Sequence, residues 1–112
     1  MESRKTQPVT QSELTRVLAE RVMGWVVGPD RFLMGNRGWM PCWRFQPTGN
    51  LEDAFRLLEE AAPQEYSMHG DSAGNFWVQV RIGGATGEAR GTSKALAIAY
   101  AVARAVGIEV EL

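Results

Sequence analysis

The sequence predicts a small two-layer α+β protein, with an antiparallel sheet of three to four strands and helices packed on one of its faces. Three observations predict it. Residues 76–91 alternate apolar and polar side chains around Gly83-Gly84, as a β-hairpin does. Residues 95–106 carry one charge, Arg104, and are apolar almost all the way round. Two earlier stretches repeat apolar residues at helical spacing, so helices are expected over about residues 12–25, 50–62 and 93–106.

Taken in order, residues 1–11 are polar and read as a flexible leader, with residues 12–112 as one domain. Ser12 is the expected cap of the first helix, with Glu13 in its first turn. Leu14, Val17, Leu18, Val22 and Trp25 form its stripe, and Glu20 is spaced to pair with Arg16. Residues 28–41 mix turn residues with Phe32, Leu33, Met34, Trp39 and Met40, and read as either a ragged hairpin or an ordered loop over the core. Residues 42–45 read as a short extended segment ended by Pro47. Asn50 caps the second helix with Asp53 three residues on; Leu51, Ala54, Phe55, Leu58 and Ala62 are its stripe, and Pro63 stops it. Residues 66–69 alternate and read as the strand beside 76–82, joined to it by the turn 70–75.

The hairpin is the most specific element. With Gly83-Gly84 as a two-residue turn, Ile82 faces Ala85, Val80 faces Gly87 and Val78 faces Ala89. Large residues oppose small ones, which leaves room for a helix to lie close to the sheet. Trp77 falls opposite Arg90 and Gln79 opposite Glu88 on the other face, where Trp77 and Arg90 are placed for a cation–π contact of about 0.5–1 kcal/mol. Thr92 or Ser93 caps the last helix, and Gly107 ends it. A helix this apolar must be covered on more than one side, by flanking helices or by a second subunit. Ile108, Val110 and Leu112 alternate with Glu109 and Glu111, as in a short edge strand.

Composition narrows the function. Twelve Lys and Arg against thirteen Asp and Glu give a net charge of −1, so no global field favours nucleic acid or an anionic membrane. No stretch has the length and hydropathy of a membrane span or a signal peptide. One cysteine excludes an internal disulfide and suits a reducing compartment. Cys42 and His69 are single, too few for the four ligands a zinc site takes. The acidic pairs Glu52-Asp53 and Glu59-Glu60 read as a solvated helix face, and residues 83–87 lack the Lys-Ser/Thr ending of a phosphate loop. No catalytic residue, metal or cofactor is assigned.

Two resemblances bear on function. Residues 87–95 resemble the C-terminal part of double-stranded RNA-binding domains, which grip phosphates with a lysine cluster at a helix start; here Lys94 alone stands there, followed by Ala95, Leu96 and Ala97. A more extensive match runs from Leu14 to Val106. Residues 18–25, Leu-Ala-Glu-Arg-Val-Met-Gly-Trp, resemble the opening "AE-x-VMGW" helix of the phage ABA sandwich domain family. Phe45-x-Pro47-Thr48-x-Asn50, leading into Asp53-Ala54-Phe55, is similar to that family's entry to its middle helix. The final strand, glycine turn and alanine-rich helix follow in the family's order, although residues 28–39 are longer and the return strand is poorer in large residues. The resemblance implies a phage or prophage protein acting in the bacterial cytoplasm, and it brings no catalytic residues.

The expectation is therefore a non-enzymatic binding protein, antagonising host defence by blocking a host protein or sequestering a small molecule, with a host or phage protein as the expected partner. The residues expected to bind are Trp77, Gln79, Arg81, Glu88 and Arg90 on the sheet, and Arg37 and Trp39 on the loop. A double-stranded nucleic-acid module and a homodimer joined through the last helix are the alternatives.

Overall fold

The structure, a computed structural model, describes residues 10–110, without the side chains of residues 11, 12 and 37. The elements are α1 (Gln11–Arg21), β1 (Val26–Val27), β2 (Arg31–Leu33), β3 (Trp39–Pro41), α2 (Leu51–Ala61), β4 (Glu65–Gly70), β5 (Phe76–Ile82), β6 (Ala85–Gly91) and α3 (Lys94–Ala105). Single 3-10 turns occupy Gly35–Arg37 and Cys42–Arg44. They form two three-stranded antiparallel sheets, β1-β2-β3 and β4-β5-β6, with three helices. The α+β architecture is as the sequence predicts.

The hairpin register agrees with the sequence reading at every pair. Ile82 faces Ala85, Val80 faces Gly87, Val78 faces Ala89, Gln79 faces Glu88 and Trp77 faces Arg90. Gly83 and Gly84 take φ of 58° and 86°, which residues with a side chain rarely adopt. Gln64 braces the turn, its Oε1 accepting the Gly84 N–H at 2.8 Å. β4 lies on the other side of β5, with Met68 beside Val78 and His69 beside Trp77.

The small residues of β6 decide how the layers meet. A Cβ on Gly87 would overlap the Ala101 carbonyl oxygen and the Ala105 nitrogen, and stand 3.1 Å from the Ala105 Cα. Helix and strand are thus in backbone contact. Eight of the twelve α3 residues are buried, and α2 packs against α3 as well. The line Leu96, Tyr100, Arg104 is half-buried. Ser93 caps α3, its Oγ accepting the Leu96 N–H at 3.2 Å. At the other end Gly107 (φ 87°) turns the chain, so that the Ile108 N–H reaches the Ala103 carbonyl at 2.8 Å.

Several local expectations are corrected. The α1 cap is Thr10, not Ser12, and the Glu13 carboxylate accepts the Thr10 N–H at 3.1 Å. α1 ends at Arg21, not near Trp25. Gly24 takes φ 75° and turns the chain back, so that the Trp25 N–H reaches the Ala19 carbonyl at 3.0 Å. Arg16 does not pair with Glu20. Its guanidinium donates to the carbonyls of Gly28 and Pro29, both at 3.0 Å, and ties α1 to the turn after β1. Residues 28–41 do contain a hairpin, β2-β3, and β1 adds a third strand to it. Residues 42–44 coil as a 3-10 turn rather than extending, with the Phe45 N–H bonded to the Cys42 carbonyl.

On α2, Asn50 caps as expected, its side chain accepting the Asp53 N–H at 2.9 Å. The Asp53 carboxylate accepts the Gln46 N–H instead of closing a capping box on Asn50. The buried stripe is Ala54, Leu57 and Leu58, so the helix is rotated from the expected stripe and leaves Leu51 and Phe55 exposed. The expected 1–11 leader falls outside the described residues except for Thr10 and the first residue of α1. At the C-terminus Val110 makes an isolated bridge, and residues 111–112 lie outside the described residues.

Candidate binding site

Because β5 and β6 turn their small and branched residues toward α3, their polar residues line up on the opposite face. Three rows cross that face. His69, Trp77 and Arg90 form the first, Ser67, Gln79 and Glu88 the second, and Glu65, Arg81 and Thr86 the third. Neighbours in a row stand about 4.5–5.5 Å apart at Cβ. All nine residues are exposed, and Trp77 leaves 36% of its surface open. The third row is held by an ion pair between Arg81 Nη2 and Glu65 Oε2 at 3.0 Å.

The first two rows border a cavity of about 710 Å³. It curls over the edge of β6, where Tyr100 and Arg104 of α3 complete it. Arg104 reaches that edge because its Nη1 donates to the Glu88 carbonyl at 2.6 Å, and its guanidinium lies 5.7 Å from the centre of the Tyr100 ring. Arg90 makes no hydrogen bond or ion pair with any described residue, and the Glu88 carboxylate makes none either. The expected stacking of Arg90 on Trp77 is not made: the cation–ring contacts among the described residues are Arg31 on Trp39, Lys94 on Phe76 and Arg104 on Tyr100. Both Trp77 and Arg90 therefore face the cavity without engaging each other.

Of the seven residues singled out from the sequence, Trp77, Gln79, Glu88 and Arg90 line this cavity. Arg81 lines a smaller hollow beside it, of about 240 Å³, which shares Ser67 and Gln79. Trp39 stands elsewhere, on the small sheet, 55% exposed and with Arg31 stacked 4.5 Å from its ring centre. The Arg37 side chain lies outside the described residues. Tyr100 and Arg104 were not legible as lining residues, because they enter only when α3 crosses behind the edge strand. Their signal is the four-residue spacing of Tyr100 and Arg104 on an otherwise buried helix.

The small sheet has its own exposed surface. Val26, Leu33 and Trp39 sit side by side across its three strands, and all are exposed. Its other side holds the aromatic core of Trp25, Phe32 and Phe45, with ring centres 5.0–6.1 Å apart. Trp43, 70% exposed, borders a second cavity of about 500 Å³ that includes Arg16 and Cys42. Among the described residues no polar or charged residue is buried, and no group of His, Cys, Asp and Glu is placed to hold a metal ion. No described helix is long and apolar enough to cross a membrane. Among the described residues two carboxylates are held below their ordinary range: Asp71, which accepts N–H bonds from Asn75 and Ala73, and Asp30, which is bonded to Arg31.

These features define a small α+β sandwich protein with one face of its larger sheet left open. The chain belongs to the phage ABA sandwich domain family, whose model matches residues 16–103. It is also similar to a phage protein from Bacillus cereus ATCC 14579, known from a 2.0 Å crystal structure, with a TM-score of 0.71 over 99% of this chain and 97% of that one. The two are 16% identical, so the likeness is one of fold. No curated protein matches the chain. The Met23-Gly24-Trp25 motif has a physical reason here: Gly24 supplies the left-handed turn that ends α1, and Trp25 is delivered onto Phe32 and Phe45.

Proposed function

We propose that the protein is a phage-encoded, non-catalytic binding protein of the bacterial cytoplasm, which opposes a host defence by sequestering a small molecule in the Trp77–Arg90 cavity. The observation that carries this reading is the cavity itself. At about 710 Å³ it has the size of small-molecule sites, and a tryptophan and an arginine that engage no partner among the described residues face it. The test is native mass spectrometry of the protein purified from phage-infected host cells, beside Trp77→Ala and Arg90→Ala. The wild type retains a small molecule and both variants lose it, with their circular dichroism unchanged. Retention of nothing by the wild type, together with phage growth indifferent to both changes, refutes the reading.

A second reading, capture of a host protein, rests on the exposed Val26–Leu33–Trp39 row, since tryptophan and arginine often anchor interfaces and Arg31 stacks on Trp39. It requires Trp39→Ala to abolish recovery of the partner from host lysate while Trp77→Ala leaves it intact. The RNA-binding alternative has less support. Lys94, the one cation at the α3 start, lies 5.7 Å from the Phe76 ring centre, and no lysine cluster joins it.

A further inference from the structure

We infer that the ligand class of the Trp77–Arg90 cavity is a nucleoside phosphate, with its base on Trp77 and its phosphate between Arg90 and Arg104. The inference rests on the small-molecule reading above and names its ligand.

The argument is one of chemistry and placement. Trp77 presents an exposed ring on a flat sheet face, a platform on which a planar heterocycle stacks; such stacking tolerates any base. Arg90 is the next residue across the sheet from Trp77, and its guanidinium has no partner among the described residues. An arginine with five unused donors is suited to a phosphate, which it binds with two parallel N–H bonds. Arg104 stands at the edge of the same strand. Its Nη1 is committed to the Glu88 carbonyl, which fixes the guanidinium there, and its other donors bond to none of the described residues. The cavity thus offers two guanidiniums, one of them locked in position, and a stacking surface beside them.

The second row supplies what a base and a sugar require. Gln79 both donates and accepts, Ser67 carries a hydroxyl, and the Glu88 carboxylate accepts without a competing partner among the described residues. Two residues along a strand span about 6.8 Å, so the row lies within reach of a ligand seated on Trp77. An apolar ligand would leave both guanidiniums idle. A bare anion would leave the tryptophan idle. A divalent cation finds no set of ligands among the described residues. A nucleoside phosphate uses the ring, the cations and the polar row together.

Isothermal titration calorimetry of the full chain tests this with ATP, GTP, AMP, adenosine and inorganic phosphate as the probes. ATP, GTP and AMP bind, while adenosine and phosphate alone bind at least tenfold more weakly, since each fills half of the site. Arg90→Ala and Trp77→Ala each weaken nucleotide binding tenfold or more. Trp77→Phe, which keeps a stacking ring, falls between wild type and Trp77→Ala. Raising the salt concentration weakens ATP more than adenosine. Absence of binding by any nucleotide at millimolar concentration overturns the inference, as does binding that neither variant alters. Where mass spectrometry of the cell-purified protein finds a retained molecule that is not a nucleotide and is lost in Trp77→Ala, the sequestration reading stands and the nucleotide inference falls. Where neither a retained molecule nor nucleotide binding is found, both fall.

Discussion

The closest test of the fold is one methyl group at Gly87. This position lies mid-strand in β6, opposite Val80, and its backbone torsion is an ordinary one that alanine also adopts. Torsional strain therefore plays no part. The obstacle is space: the added Cβ would overlap the Ala101 carbonyl oxygen and the Ala105 nitrogen, and stand 3.1 Å from the Ala105 Cα. A carbon and a carbonyl oxygen keep about 3.3–3.6 Å, so α3 must withdraw by more than about 1 Å. All three atoms are backbone, and no rotamer change relieves them. A gap of 0.5–1 Å already forfeits a quarter to a half of each contact it opens. Eight of the twelve α3 residues are buried, so a shift of the whole helix disturbs contacts of the core. Overpacking typically costs 1–3 kcal/mol, and a clash that only a whole-helix shift relieves belongs at about 3 kcal/mol or above.

Urea unfolding followed by circular dichroism measures this. With slopes of about 1–3 kcal/mol/M, Gly87→Ala lowers the midpoint by about 1–3 M. Gly91→Ala is the matched control, because a Cβ there meets nothing within 4 Å, and it leaves the unfolding free energy within about 0.5 kcal/mol of wild type. Adding Ala101→Gly to Gly87→Ala does not restore stability, since the blocking atom is a carbonyl oxygen. A Gly87→Ala protein as stable as Gly91→Ala, or one rescued by Ala101→Gly, refutes the claim that helix and strand meet backbone to backbone.

Two further outcomes follow from local geometry. Ala62, at the C-terminus of α2, takes a left-handed φ of 51°, which costs an L-residue about 1–2 kcal/mol. Ala62→Gly removes that strain and adds unfolded-state entropy of about 0.5–1 kcal/mol, so the variant is more stable by about 0.5 kcal/mol, read as a rise in the urea midpoint. The Asp71 carboxylate is held below its ordinary range chiefly by the Asn75 N–H in the β4–β5 turn. A depressed folded value means that its stabilisation is whole above the unfolded value near 3.9 and is lost as pH falls through the folded one. The difference in melting temperature between wild type and Asp71→Ala therefore holds constant from about pH 5 to 7 and closes below about pH 4.

What the sequence disclosed followed from how locally each feature is determined. The β5-β6 register needed only a period of two and two glycines, and the burial of α3 needed only the absence of charge. The end of α1 was hidden because Val22 and Trp25 continue the helical spacing. Only the left-handed turn at Gly24 breaks it, and one glycine in a helical pattern does not announce a stop. The small sheet was half visible, since strands of two and three residues are too short for alternation to register. The site divided in the same way. Trp77, Gln79, Glu88 and Arg90 share a face by local register, whereas Tyr100 and Arg104 join them through the crossing of α3 behind an edge strand.

The placement of the tryptophans separates stability from binding, and a pair of substitutions tests the separation. One of the four, Trp25, packs on the buried rings of Phe32 and Phe45. The other three are exposed: Trp39 by 55%, Trp43 by 70% and Trp77 by 36%. A small core gains most from burying its largest side chains, so three tryptophans kept at the surface are material withheld from stability. Trp25→Ala removes a half-buried aromatic from a three-ring cluster and costs about 3 kcal/mol, the low end for such truncations. Trp77→Ala, on the open face, costs about 1 kcal/mol or less. Ligand binding responds in the opposite order, lost in Trp77→Ala and kept by whatever fraction of Trp25→Ala remains folded. Equal stability losses in the two variants would mean that Trp77 belongs to the core, and the open face would then have no aromatic to offer a ligand.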